Sequence, residues 1–109
     1  MAIPHASPGQ ALDVRPLGDR LLASKTSALF KSVDLEIMRL VLPEGKYMHN
    51  HHVPGEITIQ CIEGSLDIEL DAGTVRLEAG QLLFLARGAT HAVKALTDAS
   101  ALVTVVLKP

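Results

Sequence analysis

Three of the five histidines in this chain fall within four residues, as His49, His51 and His52, and a fourth, His91, lies downstream after a turn. Neutral imidazole is the commonest protein ligand for Zn, Fe, Cu and Ni, so the cluster is a candidate metal site. On an extended strand, side chains at i and i+2 share a face, so His49 and His51 are expected to look into one pocket. His52 then points away unless a bulge re-aims it. Three imidazoles would leave a divalent ion (Zn, Fe, Ni or Cu) with open positions for water or substrate. Against this stands the plainer reading that clustered histidines are polar residues of a surface loop.

The elements that would hold these residues are short. Turn residues punctuate the chain at Pro16, Gly18, Pro43-Glu44-Gly45, Pro54-Gly55, Glu63-Gly64, Asp71-Ala72-Gly73, Ala79-Gly80 and Arg87-Gly88. The intervening segments are rich in Val, Ile, Leu and Thr, the signature of an all-β sandwich or barrel. About nine or ten strands in two sheets are expected. Asp34 to Ile37, Leu66 to Leu70 and Thr74 to Glu78 alternate apolar and charged residues, as strands with one wet face do. Asp71-Ala72-Gly73 joins the last two as a tight hairpin. Ile57 to Ile62, Leu82 to Leu85 and Ala101 to Leu107 are apolar runs of strands covered on both faces. A helix between Lys25 and Lys31 would be very short.

Composition narrows the class. With 109 residues there is room for one domain. Residues 1–12 read as a flexible arm and 13–109 as the folded unit. The apolar fraction is 48 % but the aromatic fraction only 3 %, so the core is aliphatic. A net charge of −2 without a basic cluster argues against nucleic acid. No apolar run approaches the roughly 18 residues of a membrane span, and the N-terminus has no signal-peptide pattern. One cysteine, Cys61, excludes an internal disulfide, and a cytoplasmic location is the default. Surplus apolar surface on so small a barrel points to a homodimer.

Two spacings point further. Gly45 is followed by five residues and His51, and Gly64 closes the segment. Gly80 begins a stretch that runs through Gly88 to His91, with Ala86 where a proline would stand. Together these resemble the two motifs of the cupin family, in order and separation, over roughly Val33 to Val106. The resemblance implies a double-stranded β-helix, or jelly-roll barrel, and carries His51 and His91 over as metal ligands. Two ligand positions differ: Val53 stands at the second histidine of the first motif and Ile57 at its glutamate. His49 offers a same-face replacement, and His52 another if the loop is bulged. The segment Pro54-Gly55-Glu56-Ile57-Thr58 is similar to that of small cupins lacking the glutamate-bearing stretch.

The pocket wall is expected to be apolar, drawn from Ile37, Ile57, Ile59, Phe84 and Val93, with Met38 or Met48 at the rim. Cys61 reads as a buried small hydrophobe, Gln60 as facing away, Tyr47 as a rim residue, and Arg39 and Arg76 as solvated. Two functions remain open. One is a metal-dependent enzyme of dioxygenase or isomerase type acting on a small molecule. The other is a non-catalytic module that binds or senses a small ligand, with a degenerate metal site. A vestigial site in a structural dimer is the third and blandest reading.

Overall fold

The computed structural model of the chain describes residues 6–107, without the side chains of residues 50 and 51. Nine strands form two antiparallel sheets, and no α-helix occurs among the described residues. The strands are β1 (Ser27–Lys31), β2 (Leu35–Leu42), β3 (Tyr47–His51), β4 (Ile57–Glu63), β5 (Ser65–Leu70), β6 (Gly73–Glu78), β7 (Leu82–Leu85), β8 (His91–Ala95) and β9 (Ala99–Val106). One sheet has the order β1-β2-β9-β4-β7, the other β3-β8-β5-β6. Only β1–β2 and β5–β6 are hairpins between sheet neighbours. The other links carry the chain from one sheet to the other or past a neighbour, so the two sheets wrap a common interior, as in a jelly roll. The all-β expectation holds, and Lys25–Lys31 is mostly strand β1 where a short helix was conceivable.

The hairpin at Asp71-Ala72 forms as its residues dictate. Gly73 takes φ +136°, and the acidic residues of β5 lie opposite Thr74 and Arg76 of β6. On the inner face of β5, Leu66 and Ile68 are fully buried. Each contributes about 1.5–3 kcal/mol of apolar burial.

The barrel is packed unevenly along its axis. At one end Leu42, Cys61, Leu66 and the small residues Ala95, Ala99 and Ala101 close the interior. At that end Gly64, at φ +78°, lies so near Asp98 and Ala99 that any Cβ would overlap both. At the other end the inner rows carry Met38, Met48, Ile57 and Val105, and a space remains between them.

Strand β2 corrects one expectation. Met38, Leu40 and Leu42 face inward, and Ile37, Arg39 and Val41 face outward. The apolar residues on both sides of this strand hide its phase in the sequence. Arg39 is therefore not solvated but 7 % exposed, lying on the outer face with its guanidinium donating to the carbonyl oxygen of Arg15 at 3.0 Å.

The segment before β1 is tied to the same face. A 3-10 helix, Gly18–Ala23, buries Leu21 against the sheet. Ahead of it, the amides of Leu17 and Gly18 donate to the Glu63 carboxylate at 2.8 and 3.0 Å. Nearer the start, Ala6 N–H donates to the Leu29 carbonyl at 3.0 Å, so the described part of the arm runs along β1. Residues 1–5 of the arm lie outside the described residues.

Candidate functional site

The space at the less densely filled end of the barrel is a cavity of about 120 Å³. Strands from both sheets line it: Met38 and Leu40 of β2, Ile57 and Ile59 of β4, Val103 and Val105 of β9, Met48 of β3 and Val93 of β8. Val53, in the loop after β3, completes the wall. Among the described residues one polar side chain lines it, His91, at the first position of β8 and only 3 % exposed.

The ring of His91 is fixed by its own turn. Nδ1 lies 3.2 Å from the carbonyl oxygen of Ala89. A carbonyl only accepts, so Nδ1 carries the proton, and in the neutral ring the lone pair is on Nε2. The carbonyl of Ala89 was not foreseeable as a partner, because a backbone acceptor leaves no mark on residue type.

The histidines of β3 are divided by a β-bulge. Met48 pairs with Val93, but His51, not Asn50, pairs with His91, so the register slips by one residue between Met48 and His51. The bulge keeps Met48 on the inner face and brings position 51 directly opposite His91 on the same face of the ladder. His49 falls on the other side of the strand. Its exposed ring sits edge-on to Tyr47, centroids 5.1 Å apart at 87°. The alternation that put His49 beside His51 is thus broken, and His49 does not converge with His91. His52, past the end of β3, is exposed. Among the described residues no group of three or more His, Cys, Asp or Glu stands close enough to hold a metal ion.

Other expectations are sorted by the same registers. Ile57, Ile59 and Val93 line the cavity as anticipated, whereas Ile37 and Phe84 face outward. Leu40, Val103 and Val105 were missed as wall residues; Ser100 and Thr104 mark the outer phase of β9, whereas β2 is apolar on both faces and marks none. Gln60 faces outward, paired with Leu102 and Leu82. Tyr47 is on the outer surface, where its hydroxyl donates to Glu69 at 2.8 Å and that bond raises its pKa. Arg76 is exposed beside Asp67. Cys61 is buried, and burial pushes its thiol pKa up.

The family model described as "Cupin domain" matches residues 38–107, well over half of the chain. The chain belongs to the cupin family. Among solved structures, this cupin is similar to a conserved Streptococcus pyogenes protein of unknown function, with TM-score 0.76 and 23 % identity, over 100 % of this chain and 96 % of the other. It is also similar to a cupin superfamily protein from Desulfitobacterium hafniense, with TM-score 0.76 and 18 % identity, over 89 % and 94 % of the two chains. KdgF from a Halomonas species matches with TM-score 0.69 and 17 % identity, over 77 % and 80 %. At these identities the likeness is one of fold. A comparison with curated proteins gives no match. No helix among the described residues is long and apolar enough to cross a membrane.

Proposed function

We propose that this cupin binds a small, largely apolar molecule in the cavity between its sheets, with His91 as the polar anchor. One observation carries the reading: a cavity of about 120 Å³ walled by aliphatic and methionine side chains and lined also by the buried imidazole of His91. Apolar walls with few polar groups are the ordinary make-up of a small-ligand site. Met38 and Met48, unbranched and polarizable, let the wall adapt to more than one shape. The described donor set does not fit a metal held by His49, His52 and His91, since the first two are exposed on the surface. The single buried thiol suits a reducing compartment, and a cytoplasmic location goes with the proposal.

A second reading, a metal-dependent dioxygenase or isomerase, is favoured by the register that sets position 51 opposite His91. Two imidazoles from adjacent strands would then be the protein's contribution to a divalent ion. Titration of isotope-labelled protein with phenol, which has an apolar body and one O–H donor, separates the two readings when paired with titration by Zn²⁺. Saturable shifts of Val93, Val103 and Val105 signals with phenol, absent in His91→Ala, are expected. No phenol binding, together with one tightly bound Zn²⁺ per chain lost in His51→Ala, would transfer the assignment to the metal reading.

A further inference from the structure

The segment before β1 covers Arg39, yet little holds it to the barrel. Of residues 13–24 only Leu21 is buried. Among the described residues no backbone–backbone hydrogen bond joins this segment to a strand. Those it makes, from Arg20 to Leu17 and from Ser24 to Leu21, are internal, as is the exposed ion pair of Asp13 with Arg15. Three hydrogen bonds cross to the sheet, and all end on two charged side chains. The amides of Leu17 and Gly18 donate to Glu63, and Arg39 donates to the Arg15 carbonyl. Both flanks are pinned separately. Ahead of the segment Ala6 N–H donates to the Leu29 carbonyl, and after it the Thr26 hydroxyl oxygen accepts from the Val41 amide at 2.9 Å.

Arg39 itself is poorly satisfied under this cover. It is 7 % exposed, and its Nε–H has no hydrogen-bond partner among the described residues. A buried guanidinium with an N–H left unmade costs free energy that contact with water would return. Met38 and Leu40, on either side of Arg39 along β2, line the cavity, so the segment lies behind the cavity wall.

We infer that residues 13–24 are a strap that swings off the outer face of the sheet while the barrel stays folded, with Glu63 as its catch and the buried Arg39 as the group that drives it open. A segment held by one apolar side chain and a few hydrogen bonds opens locally, well before the core. Because both flanks are pinned, it opens as a loop and closes again on the same residues. The closed strap hides the guanidinium, and the open strap displays it to solvent on the back of the cavity wall.

Amide hydrogen exchange of the full chain, followed by NMR over a range of low urea concentrations, tests this. Relative to their unprotected rates, the Leu17 and Gly18 amides are expected to exchange at least about a hundredfold faster than those of Cys61 and Ala95, which bond within the barrel. Their exchange is also expected to depend hardly at all on urea, since local opening exposes little surface. Glu63→Gln is expected to speed it about tenfold. Arg39→Met, which keeps a long side chain and removes the buried charge, is expected to slow it roughly threefold even though the bond to Arg15 is given up. Strap and barrel amides that exchange together, with one urea slope, would overturn the inference. So would an unchanged rate in Glu63→Gln, or faster exchange in Arg39→Met, which would make the guanidinium a tie.

Discussion

Glu63 and Leu17 are 46 residues apart in sequence, yet the Leu17 amide donates to the Glu63 carboxylate at 2.8 Å. The same carboxylate accepts from Gly18 N–H and from the Ser100 hydroxyl, so one side chain joins the N-terminal segment, β4 and β9. Burial raises its pKa, but the Ser100 hydroxyl and the two amides outweigh that and hold it below the ordinary glutamate value. Arg39 adds its positive charge to the same balance.

Because the folded pKa is depressed, ionised Glu63 contributes stability above its unfolded pKa, and that contribution is lost as pH falls through the folded value. Glu63→Gln is expected to destabilise the fold by about 1–2 kcal/mol at neutral pH. It is also expected to flatten the decline of stability with acid. Urea unfolding of both proteins across the acidic range checks this, with Asp19 and Asp98, which line the same surface cleft, common to both. Equal pH slopes would show that the carboxylate's charge is not what holds the segment.

Removing the imidazole of His91 should separate site from scaffold. His91→Ala is expected to abolish phenol binding while the strand content stays as it is. His49→Ala is expected to leave binding unchanged, since its ring packs on Tyr47 outside the barrel. Loss of binding in His49→Ala alone would place the ligand on the outer surface.

Much of the fold was legible where one face is wet. In β5 and β6 the acidic residues and the Gly73 turn fix both the hairpin and its inner residues. β2 was less legible, because Ile37 to Leu42 is apolar on both faces save Arg39, so alternation gives no phase. The bulge in β3 was invisible, since it is set by the pairing with β8 and not by any local residue preference. The clamp of Glu63 on residues 17 and 18 likewise has no local signature. His91 was legible through the resemblance of Gly80 to His91 to the second cupin motif.

Gly64 should tolerate no side chain. A Cβ there would overlap the carbonyl oxygen of Asp98, and φ is +78°. Gly64→Ala is expected to cost at least about 2 kcal/mol, a value that strain and overpacking reach together. Gly80→Ala, also at positive φ but in open space, is expected to cost less. Thermal unfolding of the pair gives the order, and the reverse order would refute the close approach.

Cys61 should behave as a reporter of unfolding. Its thiol is buried, donates towards the Glu63 and Gly64 carbonyls at 3.4 Å and has a raised pKa, so little thiolate forms near neutral pH. Labelling by a disulfide reagent is expected to proceed only as fast as the barrel opens, and to become rapid in denaturant. Rapid labelling of the native protein would mean that the alanine-rich end breathes.

The bulge between Met48 and His51 has a genetic corollary. Loss of the codon for His49 or for Asn50 would remove the extra residue and restore an unbroken ladder, with Met48 still opposite Val93 and position 51 still opposite His91. The strand thus carries one residue more than its pairing with β8 needs, and a shortened reading frame at that point would leave the rungs on either side of the bulge where they are.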